Sequence, residues 1–350
     1  MEPKGRAARL LVRKLIGASS DGDAAATDEA ISEMRRLSKD DPDFRPILAD
    51  AGAVPLLAHH LLLFSSSAHQ HSASSQEDAA AALLNVSISS REPLMATPGL
   101  LDALAATLRR PAAPAAAQHA AAALYSLLSV DIYRPIIGAK EEIASALIAM
   151  LRPTAPPQLA PTRSVKDALK ALFGLALYPL NRAALVRTGA VPPLFSLIVK
   201  DGRAGIVEDC TAVVAQVAGC EESLEAFRRA SGVQILVDLV DAATGASPRS
   251  RENAAAALLN LALSGGERAL EDIREVETAL PAVRELAEAG TTPRAKSKAG
   301  ALLSILVDRH HQQEGQPRWL ESDPDISPPF IATANGAPER ALGLRDRRLY

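Results

Sequence analysis

Histidines and cysteines are the residues of this 350-residue chain that could most directly bind a metal or act as nucleophiles. His69 and His71 lie in a serine-rich stretch, and no third metal ligand lies near them in the sequence. The adjacent pairs at 59–60 and 310–311 would point about 100° apart on a helix, which does not suit a shared ligand. We therefore predict that the chain has no metal site.

Cys210 and Cys220 are the only two cysteines, and they do not form a C-x-x-C motif. Cys210 lies in an apolar stretch with no base beside it, so we interpret it as a small core residue. Dinucleotide-binding, phosphate-binding and serine-hydrolase glycine motifs are all missing from the sequence. We predict no catalytic residue, no cofactor and two reduced thiols, as is typical of a cytoplasmic or nuclear protein.

The composition indicates an all-α protein. Hydrophobic residues make up 48% of the chain but aromatic residues only 3%, so alanine and leucine, both strong helix formers, dominate. The net charge of −3 gives no basic field for nucleic acid, and aromatic residues for base stacking are scarce. No apolar run reaches the roughly 18 residues of a membrane span. We expect neither nucleic acid nor membrane as a partner.

One alanine-rich pattern repeats along the chain. The segment AAALLNLAL at 255–263 has counterparts whose equivalent residues are separated by 41 to 49 residues. This spacing is typical of armadillo and HEAT repeats, which are built from two or three helices. We call the equivalent residues the ladder positions; they are Arg36, Asn85, Ser126, Gly174, Gln216, Asn260 and Ser304.

A second marker, a glycine followed by an apolar helix start, lies between these segments. We expect Gly52, Gly99, Gly189 and Gly232 to end a helix in the left-handed conformation, with proline starting the next helix in the clearest cases. Each unit would then have a short first helix, a second helix, a polar loop and a long third helix. We predict third helices near 76–89, 115–130, 163–178, 203–219, 249–264 and 292–308.

The sequence thus predicts a right-handed α-solenoid of about six three-helix armadillo units over residues 41–308. The alanines would let neighbouring third helices approach closely, and stacking would form one continuous core. Residues 1–40 would form an N-terminal helical cap, with helices near 6–16 and 27–39. Residues 309–350 are proline-rich and aperiodic, and we predict a disordered tail there.

The segments RENAAAALLNLAL (251–263), GAVPPL (189–194) and GTTPRAKSKAGALLSIL (290–306), with the opening LVRKL, resemble the armadillo-repeat half of plant U-box ubiquitin ligases and their armadillo-only relatives. The resemblance covers roughly Leu10 to Gln313, and a VRKL-type helix accounts for the basic N-terminus better than a transit peptide would. In that family the U-box precedes the repeats. Only about nine residues do so here, so the resemblance implies target binding without implying ligase activity.

In solenoids similar to this family, the third helices line a concave face whose exposed residues can bind an extended peptide. Asparagine suits that role because its amide both donates and accepts hydrogen bonds. No Trp-Asn pair of the importin-α type is present, which argues against binding of basic import peptides. The candidate partner-binding residues are Arg36, Asn85, Ser126, Lys166, Lys170, Gln216, Asn260 and Ser304.

Structural roles stay open as alternatives for two asparagines and for two acidic pairs. Asn85 and Asn260 could instead make structural bonds to a neighbouring loop. The acidic pairs at 77–78 and 208–209 are expected in the first turns of third helices, where carboxylates stabilise the helix dipole.

We favour a non-catalytic scaffold that binds a protein, such as a ubiquitination target or a signalling kinase, and that is a monomer in the cytoplasm, the nucleus or both. The alternative is the substrate-recognition part of a ubiquitin-ligase system. In that case a U-box was lost from this chain, or a separate partner supplies it.

Overall fold

A computed structural model describes residues 2–66, 72–152 and 162–307. The regular elements in these ranges are helices, apart from a 3-10 turn at Ala242–Thr244. The helices are α1 Glu2–Asp21, α2 Ala24–Asp40, α3 Phe44–Asp50, α4 Ala53–Ser66, α5 Ala73–Ser89, α6 Arg91–Met95, α7 Leu100–Arg109, α8 Pro114–Leu128, α9 Tyr133–Gly138, α10 Glu141–Ala149, α11 Thr162–Ala176, α12 Pro179–Arg187, α13 Val191–Lys200, α14 Ala204–Val217, α15 Ser223–Arg229, α16 Gly232–Val240, α17 Pro248–Arg274, α18 Ala279–Ala289 and α19 Pro293–Val307.

These helices form an N-terminal pair and six three-helix units. The third helices pack side by side in the order α2, α5, α8, α11, α14, α17 and α19. The second helices form another layer, in which α4 packs on α7 and α7 on α10. The predicted all-helical armadillo fold is confirmed, and each described third helix begins within three residues of its predicted start. The predicted tail at 309–350 lies outside the described residues.

Small side chains at the third-helix contacts explain the alanine runs. Ala254, Ala255 and Ala257 are completely buried in α17. At Gly174 in α11, an added Cβ would lie only 2.9 Å from Cβ of Leu128 in α8. The backbones of neighbouring third helices therefore approach so closely that some positions accept no side chain at all.

Side-chain caps fix the starts of several third helices. Asp23 caps α2, accepting a hydrogen bond from the Ala26 amide at 3.0 Å. Ser72 caps α5, and Ser247 caps α17 immediately before Pro248 at the first helical position. These caps pair amide groups that the first helical turn leaves without backbone partners.

The turns between first and second helices agree with the prediction at three of four glycines. Gly52, Gly99 and Gly189 all have φ between 78° and 89°. The prediction for Gly232 is wrong: Ser231 adopts the left-handed conformation, with φ of 52°, and Gly232 is the first residue of α16. The lack of a side chain at Gly232 has a packing cause, because a Cβ there would lie 2.6 Å from the Phe195 ring.

Helix α17 joins two units. It contains the third helix of the fifth unit and the first helix of the sixth, which meet at Gly266 with φ of 61° and ψ of −144°. That backbone conformation is costly for any residue with a side chain, so glycine sets the change of direction.

Candidate functional site

The ladder positions lie on successive third helices, where several of them bond to the preceding helix. Nδ2 of Asn260 in α17 donates to the carbonyl oxygen of Ala215 in α14 at 2.8 Å. Oγ of Ser126 in α8 donates to the carbonyl oxygen of Ser87 in α5 at 3.0 Å. Asn85 Nδ2 in α5 lies 3.1 Å from Ser38 Oγ in α2. The structural bond considered for Asn85 and Asn260 is therefore present, and it joins helix to helix instead of helix to loop.

The other ladder positions differ from one another. Oε1 of Gln216 accepts a hydrogen bond from Nη2 of Arg182 at 3.3 Å. Arg36 is exposed on α2 and pairs with Glu33 at 2.7 Å on its own helix. Ser304 is exposed on α19 and makes no side-chain hydrogen bond within the described residues. The structure thus does not present a uniform row of free amides.

Lys166 and Lys170 project from α11 towards acidic groups. Nζ of Lys166 lies 4.0 Å from Oδ2 of Asp209 on α14, and Nζ of Lys170 lies 3.5 Å from Oδ1 of Asp167. Burial raises the pKa of Asp209 above its usual value. The charges of Lys166, Arg249 and Lys170 oppose this shift without cancelling it. Lys170 remains exposed, so its ammonium group is accessible to a partner.

The acidic pairs do not lie in first helical turns, so that prediction is wrong. Helix α5 begins at Ala73 and α14 at Ala204, which places Glu77 and Glu208 one turn inside their helices. Glu77 accepts a hydrogen bond from Nη2 of Arg35 in α2 at 3.1 Å, and Asp78 pairs with the same guanidinium. Oε1 of Glu208 accepts from Oγ of Ser247 at 2.7 Å. These carboxylates tie neighbouring units together.

A recurring arginine near the start of the first helix was missed in the sequence. Its Nε donates to one of the last carbonyl groups of a third helix, which have no partner within the helix. The bonds run from Arg45 to Ser38 (2.8 Å), Arg91 to Ser126 (2.9 Å), Arg134 to Leu128 (3.1 Å) and Arg182 to Ala176 (3.0 Å). The shared Arg-Pro step in FRPIL and YRPII was the available signal.

Exposed apolar side chains on the third helices were also missed. They lie one residue before or three residues after a ladder position, so they share one side of the stacked helices. Ile88 is 47% exposed, Tyr125 43% and Leu263 53%. We call this surface the third-helix face; its exposed apolar members are Ile88, Tyr125, Leu263 and Val307. Leu84, Phe173 and Leu177, the last just beyond the end of α11, are partly buried members.

The thiols are shielded from reaction. Cys210 is fully buried, as predicted, and burial raises the pKa of its thiol. Burial also raises the pKa of Cys220 from 9.0 to about 11. Among the described residues no group of three or more His, Cys, Asp or Glu side chains could hold a metal ion, and His69 and His71 fall outside these residues.

Within the described ranges, no single helix is long and apolar enough to cross a membrane. Two pairs of consecutive helices reach that length and composition only when taken together, and each pair is bent by about 80°. They are Phe44–Asp50 with Ala53–Phe64, and Pro179–Arg187 with Val191–Lys200.

Comparison with known proteins gives consistent matches. The chain is 28% identical over 298 residues to U-box domain-containing protein 16 of Arabidopsis thaliana, covering 85% of this chain and 40% of the relative. It is 25% identical over 314 residues to U-box domain-containing protein 19 of the same plant, covering 88% of this chain and 44% of the relative. The chain therefore spans less than half the length of these relatives.

The crystal structure of an engineered protein shares the fold, with a TM-score of 0.70 and 22% identity over 85% of this chain and 68% of that one. Residues 11–314 match the family model described as the plant U-box protein ARM repeat region. This match includes every described helix from α2 to α19 and the second half of α1. The chain therefore belongs to the plant U-box protein ARM-repeat family.

Proposed function

We propose that the chain is a non-catalytic scaffold that binds a partner protein along the third-helix face. The observation that carries this proposal is the set of large apolar side chains exposed on stacked third helices. Ile88, Tyr125 and Leu263 lie on three different units, so a partner touching all three would span much of the solenoid. Burying such side chains releases about 25 cal/mol for each Å² of apolar surface.

The asparagines at the ladder positions would not bind a peptide as a row of free amides, because their NH2 groups already donate hydrogen bonds within the solenoid. Because Asn85 and Asn260 donate to the preceding helix, they hold the third helices in register. Their amide oxygens accept no hydrogen bond within the described residues and are available to a partner's donors. Affinity would then come from apolar contact, and these oxygens would contribute to orientation.

The exposed ammonium group of Lys170 favours a negatively charged group on the partner, at the place where the partner meets the third unit. It lies one turn before the partly buried Phe173 on α11. A partner segment that places an apolar side chain on Phe173 would best carry a carboxylate facing Lys170. Lys166 supports the same charge, because Asp209 is its acidic neighbour at 4.0 Å and neutralises it only in part.

Paired substitutions test the face. Partners of the wild-type chain are first identified by affinity capture with mass spectrometry, and one is purified for direct titration. Tyr125→Asp with Leu263→Asp should weaken its binding at least about tenfold, because both changes place charge in an apolar contact. Thermal melting should change little, since both side chains are about half exposed.

The matched control is Val199→Asp with Leu280→Asp. These residues are 62% and 40% exposed and lie on the second helices α13 and α18, not on third helices. The control should bind the partner within about twofold of the wild type. If the control weakens binding as much as the face variant does, the third-helix face is not the binding surface.

A second candidate is the substrate-recognition part of a ubiquitin-ligase system. It is supported by the U-box names of the relatives and by the share of their length, more than half, that this chain does not match. Purified chain with its partner, ubiquitin, activating enzyme and conjugating enzyme tests this. Ubiquitin transfer that requires this chain would favour the candidate, and transfer only after adding a U-box protein would make the chain an adaptor.

The scaffold is proposed to be a monomer in the cytoplasm, the nucleus or both. Light scattering coupled to size-exclusion chromatography should give a mass near 36.7 kDa. Fluorescent tagging of the chain in plant cells would report its compartment.

A further inference from the structure

A groove of about 450 Å³ lies in the second-helix layer, away from the third-helix face. It separates the end of α10 from α13. This volume is within the range of small binding sites in proteins. The lining residues come from the segment after α10, the turn before α13 and one side of α13; they are Leu151, Arg152, Gly189, Pro192, Pro193, Ser196, Leu197, Lys200 and Asp201.

The groove lies where two successive second helices do not pack closely on each other. Earlier second helices pack directly, α4 on α7 and α7 on α10, but α10 and α13 make no comparably extensive contact. The side of α13 that carries Pro192 and Leu197 therefore lines the groove. Leu151 forms the opposite wall. The lining is therefore mainly apolar, and none of the described helices covers it.

Two cations mark one end of this groove. Arg152 follows the C-terminal end of α10, and Lys200 is the last residue of α13. Because second helices of successive units run in the same direction, these two residues lie at the same end. Both are exposed, and neither makes an ion pair or side-chain hydrogen bond within the described residues.

The only carboxylate in the lining is already neutralised. Arg203 holds both oxygens of Asp201 through Nε and Nη2, each at 2.5 Å. This hydrogen bonding lowers the pKa of Asp201, and its side chain is only 1% exposed. The charge that the groove offers to an incoming group is therefore positive, from Arg152 and Lys200.

We propose that this groove binds a segment of a partner protein in which apolar side chains are followed by carboxylates. The apolar side chains would cover Leu151, Pro192 and Leu197, and the carboxylates would meet Arg152 and Lys200. The chain's own segment 153–161, PTAPPQLAP, follows Arg152 in the sequence but contains no acidic residue, so it offers these cations no counter-charge. A partner segment complements both the apolar and the charged part of the groove.

The test uses the whole chain and a fluorescein-labelled peptide in which two leucines precede three glutamates. Fluorescence anisotropy should show saturable binding to the wild type. Arg152→Glu with Lys200→Glu should weaken it at least about tenfold, through loss of attraction and gain of repulsion. Arg152→Ala with Lys200→Ala should also weaken peptide binding, through loss of attraction alone. This variant keeps the test valid if the charge-reversed variant folds poorly.

Matched controls distinguish binding in this groove from general electrostatic attraction to exposed cations. Arg109→Glu with Arg284→Glu reverses two other exposed cations on second helices, and it should leave the affinity within about twofold. A peptide with alanines for the leucines, and one with lysines for the glutamates, should bind at least about tenfold more weakly.

Three results would overturn the proposal. The first is equal affinity for the wild type and for both groove variants. The second is undiminished binding of the alanine or lysine peptide. The third is at least about tenfold tighter peptide binding when 153–161 is replaced by glycine and serine, which would make the chain's own segment the occupant.

Discussion

The side-chain amide of Asn260 donates a 2.8 Å hydrogen bond to the carbonyl oxygen of Ala215. Ala215 is among the last four residues of α14, whose carbonyl groups have no partner within the helix. Asn260 therefore caps the C-terminal end of the preceding third helix from the neighbouring unit. Ser126 does the same for Ser87 near the end of α5. Polar side chains at the ladder positions thus link the third helices of successive units.

We expect Asn260→Ala to lower the free energy of unfolding by about 1–2 kcal/mol, because it leaves a partly buried carbonyl without its donor. Urea unfolding followed by circular dichroism would measure this change. Binding experiments that use an Asn260 substitution must therefore be corrected for stability.

Ser304→Ala is the matched control, because Ser304 has the equivalent position on α19 and is exposed. It should change the free energy of unfolding by less than about 0.5 kcal/mol. Equal losses for the two variants would mean that the Asn260 bond contributes nothing beyond helix propensity.

The repeat architecture could be predicted from the sequence because the alanine pattern and the glycine turns are local signals. The target of Asn260 could not be predicted in this way. A partly buried asparagine near a helix end can donate its hydrogen bond either to a neighbouring helix or to a partner. Which of these it does depends on the distance between neighbouring units. The same limit applies at Gly232: this glycine is explained by its close approach to the Phe195 ring, which the sequence does not show, while the left-handed residue is Ser231.

The third-helix face shows a related limit. The series at 84, 125, 173 and 259 is apolar and looks like core in the sequence, yet Tyr125 is 43% exposed while Leu259 is 3% exposed. The repeat pattern marks both positions alike, so it does not predict this difference in exposure.

Gly174→Ala should destabilise the protein by about 1–3 kcal/mol. The new Cβ would lie 2.9 Å from Cβ of Leu128, so α8 and α11 would have to move apart. Since the atom in the way lies at the base of the leucine side chain, a rotamer change cannot relieve the contact. Chemical unfolding would measure the loss.

Gly300→Ala provides the opposite expectation in another third helix. No atom lies within 4 Å of a Cβ built at Gly300. The substitution should therefore raise the free energy of unfolding by about 0.5–1 kcal/mol, because alanine is the better helix former. If both alanine variants shifted stability in the same direction, close helix approach at Gly174 would not be the cause.

His119 should make stability depend on pH in mildly acidic solution. Burial, with the charges of Arg35 and Arg163, lowers its pKa, although Glu77 and Asp167 oppose the shift. Its Nδ1 is buried and has no hydrogen-bond partner among the described residues. Because the folded state disfavours the charged ring, this stability is present above the unfolded value of 6.5 and is lost as pH falls below it.

His119→Gln should therefore lose less unfolding free energy than the wild type between about pH 7.5 and pH 5, a range that spans the histidine titration. Urea unfolding at both pH values gives the comparison, and His59→Gln, at an exposed histidine of α4, should keep the wild-type dependence. The difference between the variants isolates one ring, because all other titrating groups are shared. Parallel curves for His119→Gln and the wild type would mean that His119 accepts a proton in the folded state as readily as in the unfolded one.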